Sequence, residues 1–156
     1  MLIGHGWDLH QHSDRKTLIL GGVNFEEDGF EGHSDGDILI HALCDALLGA
    51  TGKKDLGHYF PSNESTPKDI PSTDIFAEIL NVVEYEKFSL TNVDITIITQ
   101  KFNVQDKAVK IQNNLSKLLK VPVEKINIKG KSSDDYGIIG DQKASLAIVS
   151  LLLDDA

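Results

Sequence analysis

Several features that define whole classes of proteins are scarce or missing in this sequence of 156 residues. There is one cysteine, Cys44, so no disulfide can form within the chain, and a reducing compartment is the simplest expectation. No apolar run approaches the ~20 residues that a helix needs to cross a bilayer. The start of the chain lacks the basic region and apolar stretch of a signal peptide. We therefore expect a soluble cytoplasmic protein that does not contact the membrane.

Positively charged residues are also few in this sequence. Lysine and arginine number 15 against 24 aspartate and glutamate residues, which gives a formal net charge of −9. Binding to nucleic acid needs a basic face that neutralises phosphates, so we expect no nucleic-acid partner. A small phosphorylated ligand remains compatible with this charge if metal cations, helix N-termini or a few lysines neutralise it locally.

The order of apolar and polar segments predicts the fold class. One domain over residues 1–156 is expected from the length, and strands and helices mix without strict βαβ alternation, which favours an α+β fold. We predict a mixed β-sheet of about four main strands packed on three helices, plus a small N-terminal hairpin. The expected strands are 2–9, 17–25, 91–100, 125–133 and 143–155, with a short helix as the alternative for the last of these. The expected helices are 37–50, 74–88 and 104–120, and the expected loops are 26–37 and 51–72.

Two helix starts carry capping signals. Ser34 followed by Asp37 resembles a capping pair before the first helix. Ser72 or Thr73 is expected to cap the second helix. The long loop 51–72 that precedes it contains three of the four prolines, and so long a loop in a small domain is more often functional or mobile than idle.

A group of aspartates and histidines forms a candidate metal site. Asp8 and His10 lie two positions apart in the first strand, so their side chains share a face. Asp37, His41 and Asp45 follow at intervals of four on one face of the first helix. Two histidines and a carboxylate leave one position of a tetrahedral zinc open, as in catalytic sites. We interpret Asp8, His10 and His41 as zinc ligands, with Asp37 or Asp45 orienting the His41 ring.

Simpler interpretations of these residues remain open at this point. A single Asp-x-His at a strand end is more often a capped or solvated pair, and a single histidine in a helix is usually a partly buried, hydrogen-bonded residue. A bound metal could also be a structural clamp in an oligomeric binding module that is not an enzyme. We assign structural roles to the other conspicuous side chains: Cys44 is buried, Trp7 packs near the site wall, His5, His12 and His58 lie in loops or on the surface, and Lys107, Lys110, Lys117 and Lys120 form a solvated helix face.

Five blocks of sequence together resemble a known family. The blocks are IGHGWDLH, LGGV, HSDGDILIHALCDALLGA, DLGHYFP and NVDITII, in that order and spacing. They are similar to the 2-C-methyl-D-erythritol 2,4-cyclodiphosphate synthases, cyclases of the non-mevalonate isoprenoid pathway. The resemblance covers nearly the whole chain, is strongest over 1–61 and 92–98, and weakens in the last third.

The resemblance implies a reaction, metals and an assembly. The substrate would be 4-diphosphocytidyl-2-C-methyl-D-erythritol 2-phosphate, whose 2-phosphate attacks the β-phosphorus, closes the cyclic diphosphate and releases CMP. Zn²⁺ and a second divalent cation, Mg²⁺ or Mn²⁺, would act as Lewis acids and templates. Members of the family are homotrimers with sites between subunits, which implies sheets that face inward. The nearest alternative is a zinc-dependent phosphoester hydrolase.

The resemblance also implies roles for individual residues. Zinc would be held by Asp8, His10 and His41, and the second cation by Asp134. His33 and Ser132 would be catalytic, stabilising the transition state. The substrate would contact Asp8, His10, His33, Ser34, Asp55, Leu56, Gly57, Phe60, Pro61, Ser62, Asn63, Glu64, Thr99, Lys131, Ser132, Ser133 and Asp134, with the backbone of 99–105 and 129–132 around the cytosine.

The chain departs from the family pattern in its last third. QKFNVQDK stands where the family more often has a proline followed by a lysine that contacts the nucleotide. YGIIGDQKAS replaces a stretch that commonly contains an aromatic residue, an arginine and a glutamate. Asp134 is one methylene shorter than the usual glutamate. Because of these changes, the sequence does not predict which residues of 100–107 contact the nucleotide. Nor does it predict whether the central channel of the trimer binds an isoprenoid diphosphate.

Overall fold

The computed structural model describes residues 1–156 and contains a five-stranded sheet in the order β2-β1-β5-β3-β4. The strands are β1 (Leu2–Leu20), β2 (Val23–Phe30), β3 (Phe88–Ile98), β4 (Ile126–Lys131) and β5 (Ala144–Asp155). The helices are α1 (Ile38–Ala50), α2 (Leu56–Tyr59), α3 (Ser72–Val82), α4 (Gln105–Leu119) and α5 (Gly137–Gly140), and short 3₁₀ turns precede β3 and β4. None of the helices is long and apolar enough to cross a membrane.

The sheet is mixed, which confirms the predicted α+β class. β1 pairs antiparallel with β2 and β5, and β5 pairs antiparallel with β3. β3 and β4 are parallel and are connected through α4, because parallel neighbours need a crossover. Along β3 and β5 buried residues alternate with more exposed ones, so the sheet buries one face against the helices.

The sequence interpretation of the first 30 residues was wrong in two ways. Residues 2–9 and 17–25 were expected as separate strands, but β1 runs without a break from Leu2 to Leu20. Its first half pairs with β5 and its second half with β2, so the polar residues 11–16 lie where the strand changes partner. Residues 26–30, expected in a loop, continue β2. The sheet therefore has five strands and not about four.

The two predicted helix caps also need correction. Asp37 alone caps α1, because its carboxylate accepts hydrogen bonds from the backbone N–H groups of Leu39 at 3.1 Å and Ile40 at 3.0 Å. α3 starts after Pro71 without a side-chain cap. Ser72 does not cap because its hydroxyl is bonded elsewhere, in the candidate site.

Four side chains test the structural roles assigned from sequence. Cys44 is buried, as predicted. Lys107 is also buried and pairs with Glu27, so its assignment to a solvated face was wrong. His12 is half-buried and stacks on Phe30 with 4.8 Å between ring centroids, so it is not a surface residue. Trp7 is 61 % exposed and does not line the candidate site, but it shares a neighbouring cavity with Asp45, which does.

The face of the sheet opposite the helices carries uncovered apolar side chains. Ile3, Trp7 and Leu9 alternate along β1 and are 75 %, 61 % and 38 % exposed. Ile148 and Leu152 on the neighbouring β5 are only partly covered. His5 and Ser150 interrupt this apolar strip, and exposed apolar surface of this kind marks a contact surface more often than a solvated one.

α1 lies unusually close to β1, and this approach positions the candidate site. A Cβ at Gly4 would lie 2.0 Å from the carbonyl oxygen of Ala46, and one at Gly6 would lie 2.2 Å from that of Ala42. Only glycine therefore lets the helix backbone rest on the strand. His41 is the neighbour of Ala42 in α1, so this contact places His41 over the face of β1 that carries Asp8.

We predict that Gly6→Ala destabilises the fold by about 1–3 kcal/mol, because the added methyl group must push α1 away from β1. Urea unfolding followed by circular dichroism measures the change. Gly49→Ala is the matched control, because its Cβ would meet nothing nearer than the His5 carbonyl oxygen at 3.8 Å. This control should be neutral or more stable by up to about 1 kcal/mol. Equal unfolding midpoints for the two variants would contradict the close packing.

Candidate active site

The structure brings Asp8, His10 and His41 together. Their ligand-type atoms all lie within 4.8 Å of one another. Asp8 Oδ2 is 3.0 Å from His10 Nε2 and 3.0 Å from His41 Nδ1. β1 supplies the first two residues and the first turn of α1 supplies the third. The triad expected from the sequence is thus the one group of three such side chains that converges in the chain.

The tautomer of His10 is set by a backbone carbonyl. His10 Nδ1 lies 2.6 Å from the carbonyl oxygen of Glu31, just after β2. A carbonyl oxygen can only accept a hydrogen bond, so Nδ1 carries the proton. In the neutral ring, Nε2 then presents its lone pair toward Asp8.

Two hydroxyl groups hold the other nitrogen of His41. Nε2 lies 3.1 Å from Ser34 Oγ and 3.0 Å from Ser72 Oγ. The Ser72 hydroxyl donates its own hydrogen to the Asp35 carboxylate, so it accepts the hydrogen of Nε2. His41 Nδ1 therefore faces Asp8 with a lone pair.

The predicted orienting residues, Asp37 and Asp45, do not contact the His41 ring. Asp37 accepts backbone hydrogen bonds from Gly21 at 3.0 Å and Gly22 at 2.6 Å in addition to capping α1. Burial raises the pKa of Asp37, while these N–H donors favour its ionised form. Asp45 accepts from the backbone N–H of Leu56 at 2.7 Å and so holds the start of α2. The ring instead contacts Ser72 Oγ, which also bonds the Asp35 carboxylate.

The electrostatics of the triad fit a divalent cation. Two imidazole lone pairs and one carboxylate converge with no hydrogen-bond donor among them, an arrangement that only a cation or added protons can stabilise. Burial alone would raise the pKa of Asp8, but when the two rings carry added protons, their hydrogen bonds to the carboxylate outweigh burial and hold this pKa at about 2. Burial alone would lower the pKa of His10, but Asp8 raises it overall. The carboxylate is therefore ionised at neutral pH, and two nitrogens with one oxygen are a suitable donor set for zinc.

A cavity of about 220 Å³ opens above the triad. It contains these residues expected from the sequence: Asp8, His10, His33, Ser34, His41, Leu56, Gly57, Phe60 and Ser62. Asp45, Thr66 and Ile75 complete the lining. Thr66 and Ile75 carried no sequence signal, because Thr66 contributes a backbone carbonyl and Ile75 is one apolar residue among many in α3.

Within the segment 55–64, four residues expected at the substrate do not line this cavity: Asp55, Pro61, Asn63 and Glu64. Asp55 caps α2 by accepting a hydrogen bond from the His58 N–H at 3.1 Å. Asn63 stabilises its own turn by accepting from the Ser65 N–H at 2.9 Å. Both have local structural roles in the isolated chain, and their contact with substrate stays a prediction.

A second cavity of about 190 Å³ lies at the end of β3 and β4. Its lining is Thr99, Phe102, Asn103, Val104, Gln105, Gly130, Lys131 and Ser132. It shares no residue with the first cavity, so one chain does not bring the predicted nucleotide and metal regions into one pocket. Ser133 and Asp134 lie outside the lining, and Asp134 accepts a hydrogen bond from Ser132 Oγ at 2.8 Å.

Several hydrogen bonds, made by His33 and Lys16, fix the loop that carries His33. The His33 ring donates from Nε2 to the Thr66 carbonyl at 2.7 Å, and the His33 carbonyl accepts from the Asp69 N–H at 2.7 Å. Lys16 Nζ donates to the carbonyls of Gly32 at 3.1 Å and Ser34 at 3.0 Å and to the Asp69 carboxylate at 3.0 Å. The segments on both sides of the first cavity are therefore tied to each other and to β1.

Comparison with known proteins supports a common origin over the whole chain. The YgbB family matches residues 1–154. A 2-C-methyl-D-erythritol 2,4-cyclodiphosphate synthase from Francisella tularensis subsp. novicida is 39 % identical over 153 residues, which is 97 % of this chain and 96 % of that protein. The synthase of the same name from Aquifex aeolicus is 40 % identical over 135 residues, or 86 % of each chain.

Solved structures agree with the sequence relatives. The chain matches a CDP complex of IspF from Plasmodium falciparum with a TM-score of 0.85 and 32 % identity, covering 99 % of this chain and 96 % of that one. It matches the bifunctional IspDF from Campylobacter jejuni with a TM-score of 0.93 and 30 % identity, covering 99 % of this chain and 42 % of that longer one. The resemblance drawn from the five sequence blocks is thereby confirmed.

We predict that Lys16→Met makes the loop that carries His33 and the segment around Asp69 open more often. The variant removes the ammonium group that three oxygens share, and each hydrogen bond contributes about 1 kcal/mol, so backbone amides in 31–36 and 64–70 should exchange about fivefold faster or more. Hydrogen exchange followed by mass spectrometry measures this. Arg15→Met is the control, because the neighbouring Arg15 is exposed and its side chain makes no hydrogen bond. Unchanged exchange in both segments of Lys16→Met would show that Lys16 does not hold them.

Proposed function

This chain belongs to the YgbB family, and we propose that the cavity above the triad and the cavity at the end of β3 and β4 bind the two ends of one phosphorylated cytidine substrate. The activity of the family is the conversion of 4-diphosphocytidyl-2-C-methyl-D-erythritol 2-phosphate to 2-C-methyl-D-erythritol 2,4-cyclodiphosphate, and the chain is a lyase of this pathway. The observation that carries the proposal is the convergence of Asp8, His10 and His41 at the base of a polar cavity. We treat residues 1–156 as one cyclodiphosphate synthase domain.

The reaction needs charge neutralisation and orientation more than it needs a base. An oxygen of the 2-phosphate forms a bond to the β-phosphorus, and the bond from the β-phosphorus to the oxygen of CMP breaks. The attacking oxygen is already anionic at neutral pH, so no residue has to remove a proton. The barrier comes from bringing two anionic groups into line and from the charge that develops on the leaving CMP.

Asp8, His10 and His41 would hold a Zn²⁺ ion in this site. When bound, zinc supplies Lewis acidity and a template for phosphate oxygens. The chain's own residues do the rest: the Glu31 carbonyl and the Ser72 hydroxyl keep the two rings turned toward Asp8. These two contacts mean that no ring has to rotate before a ligand binds.

His33 and Ser34 would contact the substrate phosphates. Both line the first cavity, and the backbone around them is held by Lys16. Because the Thr66 carbonyl fixes His33 Nε2, Nδ1 of the protonated ring is the nitrogen that can donate to a phosphate oxygen. A fixed donor of this kind stabilises charge in the transition state without reorganising.

The second cavity would accept the nucleotide. Thr99, Lys131 and Ser132 line it, and the backbone of 99–105 and 129–132 would contact the cytosine. Ser132 would stabilise the transition state, and Ser133 would contact the diphosphate. Asp134 would bind a second cation, Mg²⁺ or Mn²⁺, together with the diphosphate oxygens, because a single carboxylate next to phosphates is the usual protein share of such a site.

A homotrimer would join the two cavities. They share no residue within one chain, and a neighbouring subunit would bring its second cavity to the first. The uncovered apolar strip formed by Ile3, Trp7 and Leu9 gives each subunit a face to bury. Three sheets packed inward around a threefold axis satisfy both requirements with one closed arrangement.

We predict that His41→Ala loses zinc and slows CMP release by roughly 10²-fold or more, because removing one electrostatic stabiliser of transition-state charge costs about that much. Zinc content is measured by elemental analysis, and CMP and the cyclic diphosphate by phosphorus NMR. Asn113→Ala is the control, because Asn113 is exposed on α4 and lines neither proposed substrate cavity.

Each alternative function has its own result in the same experiment. A zinc-dependent phosphoester hydrolase would release a phosphate product and form no ring. A structural metal clamp would leave the metal-free protein unfolded, whereas we expect the His41→Ala variant to fold. A fully active His41→Ala variant would end the assignment of the metal site.

We also predict that two inactive variants restore activity when their subunits are exchanged. In mixed trimers of His41→Ala and Asp134→Ala, a site between subunits can take its metal half from one variant and its nucleotide half from the other. Random exchange creates such intact sites at about a quarter of the interfaces of a closed ring. Activity is measured after mixing and compared with each variant alone, and sedimentation equilibrium gives the assembly. Sites contained in one chain would stay inactive after mixing.

A further inference from the structure

Ser72 is a fully buried hydroxyl between the candidate metal site and a carboxylate. Its Oγ accepts from His41 Nε2 at 3.0 Å and donates to Asp35. The Ser72 backbone N–H also donates to the second oxygen of Asp35, at 2.9 Å. Asp35 belongs to the loop before α1, and Ser72 is the first residue of α3. Three separate segments therefore meet at one hydroxyl group.

Helix capping does not explain this hydroxyl. The cap position of α3 is Pro71, and the one side chain that bonds an N–H group of the first turn is Asp35, which accepts from the Ser72 N–H. Both partners of Ser72 Oγ lie outside α3. A buried hydroxyl costs free energy unless it is hydrogen-bonded, so its position between two partners is informative about its role.

From His41 through Ser72 to Asp35, donors and acceptors can be assigned in only one way. The Asp35 carboxylate only accepts, so the Ser72 hydroxyl must donate to it. The oxygen of Ser72 then accepts the hydrogen of His41 Nε2, and Nδ1 is left with its lone pair toward Asp8. Ser34 also contacts Nε2, at 3.1 Å, but its hydroxyl leads to no carboxylate and can point either way.

We propose that Asp35, acting through Ser72, fixes the His41 tautomer that binds the metal, which makes Ser72 and Asp35 positioning residues for the site. Acceptors behind a histidine ligand orient the ring and raise its basicity, and the acceptor here is a carboxylate one hydroxyl away. The inference rests on the metal site proposed above. It adds a role for the first turn of α3, which otherwise supplies only Ile75 to the cavity.

The direct test is zinc affinity in the metal-free protein titrated with Zn²⁺ against a chromophoric chelator. Ser72→Ala should bind zinc roughly 10- to 100-fold more weakly, the usual loss when such a partner is removed. Thr73→Ala is the matched control, because Thr73 is the next residue of α3 and its hydroxyl makes no hydrogen bond. Ser72→Thr keeps the hydroxyl and should retain most of the affinity.

A spectroscopic measurement separates orientation from a general loss of packing. In ¹⁵N-labelled zinc-loaded wild-type protein, the His41 Nε2–H proton should be protected from exchange and shifted by its hydrogen bond to oxygen. Ser72→Ala should lose that protection while its circular dichroism and its urea midpoint stay close to those of Thr73→Ala. If Ser72→Thr does not fold, Asp35→Asn provides the second variant, and its loss of affinity should not add to that of Ser72→Ala.

The outcomes distinguish this inference from the proposed function. If wild-type protein binds no zinc, or binds it equally well after His41→Ala, the metal site itself is wrong. If wild-type protein binds zinc at His41 and Ser72→Ala binds it equally well with a protected Nε2–H, the relay through Ser72 is overturned. Additive losses for Asp35→Asn and Ser72→Ala would show that Asp35 does not act through the hydroxyl.

Discussion

The contact between α1 and β1 is the constraint on which the rest of the structure depends. Because Gly4 and Gly6 have no side chains, the helix backbone rests directly on the strand. This brings a helical histidine within 3.0 Å of a strand carboxylate that already has a second histidine on its other side. The candidate site is therefore a product of backbone packing, and the surrounding hydroxyl and carbonyl groups refine it.

The negative charge of the chain matters most at the site that this contact forms. The chain has a formal net charge of −9, and the residues that converge in the triad are all acceptors when the rings are neutral. A phosphorylated substrate would meet a repulsive surface unless cations accompany it. Asp8 is ionised because its pKa is held at about 2, and both rings have a fixed orientation. The site can therefore attract and bind such a cation.

Local patterns made part of this structure predictable, and long-range contacts account for the rest. The Asp-x-His spacing and the histidine within an apolar helix identified the triad, because both follow from strand and helix periodicity. Asp35 and Ser72 were missed as orienting residues because they lie 37 positions apart and meet only through the fold. Lys107 was misassigned for the same reason, since Glu27 lies on a distant strand. The trimer, the second cation, the cytoplasmic location and the nucleotide contacts of the last third stay predictions.

The segment between α1 and α3 is anchored at both ends and in its middle. The Leu56 N–H is bound by Asp45, Thr66 and Asp69 are tied to His33, and Ser72 is bound to Asp35. These contacts restrict the conformations of the segment 51–71 before any ligand binds. An incoming molecule does not have to order it, so more of the contact energy remains for bending the molecule into a reactive shape.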